Sequence, residues 1–293
     1  MELLNQNMNI DFVGKMKRGM ILSVFFLCVG VISIFFRGEK NFGIDFTGGV
    51  MEQIAFFKPT TAQILRDSFK KNDLKSVSLQ EVHDGNKTIF MVRSSLEEIA
   101  SLREAIKNIH GEDQFEVMRE EMVGPTVGKD LRRQGLYALI FALLGILIYV
   151  SFRFEFKYAV GAIAALFHDI LITAGLLSFF QVELSIQILA ALLTIVGYSL
   201  NDTIVVFDRI RETKKMNTKN QSFSELINIS INQTLSRTIL TSITTFIVVL
   251  MLFLFGGTVI HEFALALMIG VIVGTYSSVF VAGSLLRYWN EKS

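Results

Sequence analysis

Gly197-Tyr-Ser-Leu-Asn-Asp-Thr-Ile-Val-Val-Phe-Asp-Arg-Ile-Arg-Glu212 closes an apolar run that begins near Leu184. Asn201 and Asp202 therefore fall inside a segment long enough to cross a bilayer as a helix. A carboxylate at that depth costs roughly 2.5–3.5 kcal/mol on insertion scales, so it is seldom left facing lipid. Thr194, Gly197, Tyr198, Asn201 and Asp202 recur at helical spacing, which predicts one polar stripe along the span. Such a stripe should look at another helix or at a watery path. It reads as an ion or proton site, the other reading being a polar contact that holds a helix bundle together.

The rest of the chain has the composition to match. Of 293 residues 51% are hydrophobic and two are proline, and the mean hydropathy is +0.48. That predicts an integral membrane protein with one soluble portion, rather than two globular domains. The net charge of +1 says little, because the basic residues are unevenly placed. Cys28, the sole cysteine, lies in an apolar run. It can form no internal disulfide, and its expected place is a packed interior. Metal and nucleotide chemistry find no support. The histidines are scattered, CxxC and HExxH are lacking, and Gly124-Pro-Thr-Val-Gly-Lys-Asp130 is one residue short of a phosphate loop and ends in Asp. Neither an enzyme nor a cofactor is expected.

Residues 1–18 are polar and end in Lys15, Lys17 and Arg18; the apolar run 19–36 follows without a small-x-small cleavage site and reads as an uncleaved anchor. From 37 to 134 the composition turns soluble. A glycine-dense turn leads to a strand near Val50–Phe57, and Thr60 with Gln63 makes a capping box for a helix over 61–71. Strands near 75–82 and 87–93 join through Asp84-Gly-Asn86. Ser95 with Glu98 caps a helix to about Ile109, and Gln114–Glu121 is the last strand. The order β-α-β-β-α-β is that of a ferredoxin-like α+β domain, which at about 95 residues can bury a modest core. His83 and His110 occupy turn-like positions and read as solvated.

Apolar runs near 135–152, 158–180, 184–208, 238–255 and 263–286 complete an α-helical polytopic protein with six transmembrane helices and a short tail, 287–293. Arg153 and Lys157, then Arg209, Arg211, Lys214, Lys215, Lys219 and Arg237, then Arg287 and Lys292, all fall on one side. The opposite loops at Gln181–Glu183 and Gly256–Glu262 carry no Lys or Arg. The positive-inside rule then predicts cytoplasmic termini and an extracytoplasmic 37–134 domain. Arg132 and Arg133 run against this mildly, and long loops are largely exempt from the rule.

Three other spans answer the opening stretch. In the third, Gly161, Ala165, Asp169 and Thr173 repeat every four residues, while His168 points away by about 100°. In the fifth, Thr234, Thr238, Thr241 and Thr245 make a hydroxyl stripe with Arg237 at its cytoplasmic end. In the sixth, Gly270, Gly274 and Ser278 form a ridge for close packing. Asp202 and Arg237 sit at similar depth and make the natural ion pair, with opposite charge favouring the ionised acid and desolvation the protonated one. Arg237 reads equally as a gating partner or a snorkelling cation, and Asp169 equally as a structural acceptor or a proton relay.

These residues resemble the SecF family of protein-export membrane proteins (SecD/SecF, in the resistance-nodulation-division superfamily). The resemblance rests on Gly43-Ile-Asp-Phe-Thr-Gly-Gly49, with Gly43, Asp45, Gly48 and Gly49, and on Val123-Gly-Pro-Thr-Val-Gly128, with Gly124, Pro125 and Gly128. It rests also on His168-Asp169, on Gly197–Glu212 with Gly197, Asp208 and Arg209, and on Gln233–Ser242. It implies that Asp202 and Arg237 are needed to use the proton-motive force, the coupling ion being a proton or sodium; Asn201 and Asp169 join them as coupling candidates by their place in the spans. It also implies the bacterial cytoplasmic (inner) membrane as location and SecD, the SecYEG channel, YajC, preprotein and membrane lipid as partners, with no nucleic acid. SecD would supply the complementary carboxylate. A solute or drug exporter of the same superfamily and a passive assembly subunit remain the alternatives.

Overall fold

The computed structural model describes the chain except residues 1–8, 75–76, 85–86, 112–113, 217–220 and 293. It divides into two compact units, Phe42–Leu136 and the remainder.

The smaller unit holds β1 (Gly49–Phe56), β2 (Ser78–Asp84), β3 (Lys87–Ser94) and β4 (Phe115–Val123) in the order β2-β3-β1-β4, antiparallel throughout. This is the split βαβ arrangement that the sequence predicts. Alternate residues of the sheet meet helices α3 (Ala62–Lys71) and α4 (Ile99–His110), so Ile54, Phe90 and Val92 pack on Leu65, Phe69, Leu102 and Ile106. The helix starts differ from expectation. Thr61, not Thr60, caps α3 by accepting from Ile64 N–H (3.4 Å), because Gln63 turns to Asp67 (3.0 Å) instead of closing a box. The N-cap position of α4 is Glu98, which makes no side-chain capping bond, because residues 96–98 form a turn first. Gly85 and Asn86 of the expected hairpin turn lie outside the described residues, as do the side chains of His83 and His110.

Within the same unit the two glycine-rich motifs meet. A short helix α2 (Ile44–Thr47) ends at Gly48, whose φ of +79° favours glycine. A Cβ on Gly48 would stand 2.8 Å from Pro125 Cα, and one on Gly128 would stand 2.8 Å from Gly48 N. The motifs are therefore two halves of one backbone-to-backbone joint. On the helix-facing side of β1 lies Glu52, fully buried. Arg103 Nε donates to its Oε1 (2.6 Å) and also reaches Glu120 (2.8 Å), while Glu52 Oε2 has no partner.

The larger unit contains α1 (Met16–Arg37), the greater part of α5 (Pro125–Arg153), α6 (Phe156–Phe179), α7 (Ile186–Lys215), α8 (Phe223–Phe255), α9 (Gly257–Ser277), a π turn at Ser278–Ala282 and α10 (Gly283–Lys292). Six helical segments are long and apolar enough to cross a membrane, α9 through α10 counting as one. In the apolar window of α6, α7 and the last span 61%, 44% and 61% of residues are buried, against 11–17% for α1, α5 and α8. The first three are therefore the centre and the others the rim. Ser185 caps α7, and Ser222 with Glu225 forms a full capping box that starts α8 well before its apolar run.

Small residues set the helix separations. A Cβ on Gly175 would lie 2.4 Å from Gly30 Cα, so α1 and α6 cross with backbones in contact. Ser33 and Ser178 share a hydrogen bond (2.9 Å) just beyond. Arg37 then donates to the carbonyls of Ser178 (2.9 Å), Gln181 (3.3 Å) and Val182 (3.3 Å), covering the negative end of α6. Gly270 sits against Ile195 and Gly274 against Ser199, which makes the ridge of the sixth span a packing surface on α7. Cys28 corrects the expectation of a packed interior: it is exposed, because α1 buries only the face bearing Met16, Gly19, Ser23 and Gly30.

Ahead of α1, residues 9–15 form a strap bonded to α8. Ile10 N–H donates to Asn232 Oδ1 and Asn232 Nδ2 donates back to Ile10 C=O, both at 2.8 Å. Asn228 Oδ1 accepts from Phe12 N–H (2.8 Å) and Val13 N–H (3.2 Å). Phe12 enters the core with Met16, Val150, Phe207 and Ile231.

Candidate functional site

The polar residues of the spans gather where α6, α7, α8 and α9 meet. Asp169 is 1% exposed and held by short contacts: Ser199 Oγ donates to its Oδ2 (2.6 Å), Ser277 Oγ donates to the same oxygen (2.8 Å), and His168 Nδ1 lies 2.9 Å from Oδ1. Three helices are thus tied to one carboxylate. The four-residue ridge explains how: Gly161, Ala165 and Thr173 are buried with Asp169, which brings α6 close enough for hydroxyls of α7 and α9 to reach it. His168 does not point away, as the 100° offset suggests; its ring folds back to Asp169 and is itself buried.

One turn beyond Ser199 on α7 is Asp202, 2% exposed. Across from it stand the hydroxyls of Thr241 and Ser242 on α8, and the charge of Arg237 acts on it from the same helix. The expected ion pair does not form: Asp202 is buried, Arg237 is exposed, and Asp202 Oδ2 has no hydrogen-bond partner. Tyr198 Oη donates to Ser242 Oγ (3.2 Å), which lies 2.7 Å from Thr275 Oγ1. A run of hydroxyls therefore continues from Asp202 across α8 to α9. Of the fifth-span stripe, Thr234 and Thr241 bond back to carbonyls of their own helix, while Thr238 Oγ1 is buried without a partner.

The stripe of the opening stretch is divided. Tyr198 and Asp202 turn inward, whereas Thr194, Gly197 and Asn201 are exposed on the bundle surface. A Cβ on Gly197 would touch nothing. At the end of α7, Asp208 and Arg209 lie away from this site: Asp208 meets Arg153 (3.5 Å), and Arg209 meets Gln233 (2.7 Å) and Glu212 (2.5 Å). Gly43, Asp45, Gly48, Gly49, Gly124, Pro125 and Gly128 lie in the smaller unit, where Gly48, Pro125 and Gly128 form the joint. The sequence reading misses Ser199 and Ser277, since a serine in an apolar helix looks like any small packing residue. The signal that could reveal Ser199 is its place three residues before Asp202 and opposite the glycine ridge of the sixth span.

A model of the family "protein export membrane protein SecD/SecF, C-terminal" matches residues 102–292. A protein translocase subunit SecF of Desulfurispirillum indicum is 44% identical over 97% of this chain and 92% of its own length. That of Calditerrivibrio nitroreducens is 43% identical over 98% and 96%. Among solved structures, SecDF of Thermus thermophilus, a translocon-associated membrane protein, superposes with a TM-score of 0.87 at 35% identity over 99% of this chain. SecDF in its super-membrane-facing form gives 0.72 at 36% identity. This chain spans 40% of the length of each of those two chains.

Proposed function

Because the chain belongs to the SecD/SecF family of protein-export membrane proteins, we propose that it is a translocase subunit that acts with SecD. In this reading the pair uses the proton-motive force to drive preproteins across the cytoplasmic membrane. The observation that carries it is Asp202: a carboxylate buried within a span, with one oxygen unpartnered and the nearby guanidinium held off. Loading and unloading a proton there adds or removes a charge inside the bundle and so changes what the surrounding helices prefer. Each charge moved across 100 mV supplies about 2.3 kcal/mol.

The exposed part of the stripe supports a second chain. Thr194, Gly197 and Asn201 present polar and small groups on a surface otherwise suited to lipid, which fits a partner helix approaching closely. SecD would cover it and bring its own carboxylate to the Asp202 region. The SecYEG channel, YajC and the emerging preprotein complete the assembly. Both termini lie in the cytoplasm, by the placing of Lys and Arg, and the ferredoxin-like domain lies outside.

Export of a preprotein into proteoliposomes carrying a pH gradient, with this chain and SecD present, tests the reading. Asp202→Asn and Arg237→Met should each abolish the gradient-dependent part of export while the chain still co-purifies with SecD. Loss of co-purification, with export by the remaining assembled complex intact, would make the two residues assembly contacts and refute the proposal.

A further inference from the structure

His168 is a buried titratable group in the bundle that the Asp202 reading does not use. Its surroundings define its chemistry. Asp169 Oδ2 accepts two serine hydroxyls, at 2.6 and 2.8 Å, and Oδ1 faces His168 Nδ1 at 2.9 Å. With both hydroxyls on Oδ2, one hydrogen lies between Oδ1 and Nδ1, and the proposal below places it on the imidazole with Asp169 as a carboxylate. Nδ1 is then an N–H donor, and the remaining nitrogen, Nε2, is free to be bare or protonated. His168 is 6% exposed and Nε2 has no hydrogen-bond partner.

The titratable groups that the structure sets against His168 are Asp169 on its own helix and Tyr276 on α9, whose ring stacks on it at 6.4 Å and 25°. Tyr276 directs its hydroxyl to the Gly19 carbonyl of α1 and lies 3.1 Å from Ser23 Oγ, so its proton is engaged away from the imidazole. From α7 the cluster receives Ser199, which is not titratable in this range. Among the described residues no Lys or Arg forms an ion pair with Asp169. A buried anion bonded to two hydroxyls and a neutral imidazole lacks a counter-charge, and that imidazole is the group able to become one.

We propose that His168 in its cationic form is the counter-charge of Asp169, and that the dyad is a second proton-binding site in the bundle, separate from Asp202. The proton adds to the Nε2 lone pair and forms one N–H bond. The Nδ1–H bond to Asp169 persists, and the dyad changes from a net negative to a net neutral pair. Release reverses both changes. Three helices hang on this carboxylate through His168, Ser199 and Ser277, so loading the site alters the pull between α6, α7 and α9. The proposal goes beyond the Asp202 reading and does not depend on it.

The test reads the imidazole directly. The full chain, labelled in its histidines with nitrogen-15 and held in nanodiscs with SecD, is followed by NMR as pH is lowered, and His168→Gln identifies the signal. His168 should show a protonated Nδ1 throughout and an Nε2 that converts from bare to protonated. The conversion should survive Asp202→Asn and the cationic signal should be lost in Asp169→Asn. Should Asp169→Asn fail to fold, Ser277→Ala serves in its place: with one hydroxyl fewer on the carboxylate, the Nδ1–H resonance facing it should shift. A bare Nδ1, an Nε2 that never changes while the complex remains folded, or a His168 spectrum indifferent to both Asp169→Asn and Ser277→Ala overturns the proposal. Failure of the export test with Asp202→Asn leaves this result untouched, so the two readings fall separately.

Discussion

The crossing of α1 and α6 makes a measurable demand. A methyl group on Gly175 would stand 2.4 Å from Gly30 Cα and 3.1 Å from Gly30 C, both backbone atoms that cannot rotate away. Ordinary contact starts at 3.4 Å, so Gly175→Ala must push the helices apart by about 1 Å. Overpacking of this kind costs about 1–3 kcal/mol. The shift also stretches the Ser33–Ser178 bond from 2.9 Å and draws Arg37 off the end of α6. Two identical substitutions serve as controls. Nothing lies within 4 Å of a Cβ on Gly145 or on Gly197, so Gly145→Ala and Gly197→Ala should leave the chain as stable as before. The assay is the temperature at which half of the detergent-solubilised full chain stays monodisperse. Gly175→Ala should lower it and the controls should not; Gly197→Ala should instead weaken recovery with SecD. Equal behaviour of Gly145→Ala and Gly175→Ala would refute the packing account.

Further outcomes follow from contacts in both units. Arg103→Met strands Glu52 as a buried charge and should destabilise the smaller unit by about 3–5 kcal/mol, whereas Glu52→Met with Arg103→Met should recover most of it; denaturant unfolding measures both. Glu155, at the start of the third span, is held below its ordinary value of 4.5 by the Lys157 hydrogen bond and by the Lys157, Lys214 and Arg211 charges. Because its folded value is depressed, its contribution is present above the ordinary value and is lost as pH falls through the folded one. The group is largely exposed, so Glu155→Gln should shift the acid limb of stability by well under about 1 kcal/mol, and less in high salt. Asn228→Leu removes the acceptor for two strap N–H groups and should expose residues 9–15 to protease without altering the unfolding temperature of the smaller unit.

What the sequence discloses depends on whether the relevant force is periodic. Alternation and capping chemistry are local, so the order of strands and helices in the smaller unit, and the six apolar segments, can be read directly. Helix ends in the bundle cannot, because apolar runs mark where lipid begins rather than where hydrogen bonding stops. The fifth span shows this: α8 starts at Phe223, and the overlooked signal is Ser222 with Glu225. The buried acids are legible as Asp169 and Asp202, since a carboxylate in an apolar run has to be explained. Their partners are not. Ser199 and Ser277 look like packing residues, and the inward turn of His168 depends on a rotamer rather than on helical phase. Nor does single-chain periodicity reveal that Thr194, Gly197 and Asn201 face outward while Tyr198 and Asp202 face inward, because one stripe serves two neighbours.

The strap that ties Ile10 and Phe12 to Asn232 and Asn228 joins positions 222 and 216 residues apart. Synthesis therefore makes one half of this clasp first and the other only after four spans and the α+β domain have emerged. Until the fifth span arrives, Phe12 has an incomplete berth and Ile10, Phe12 and Val13 lack their acceptors on α8. Fastening the strap is thus a late step of biogenesis, and a chain cut short before Asn228 would carry an open latch for quality-control proteases to find.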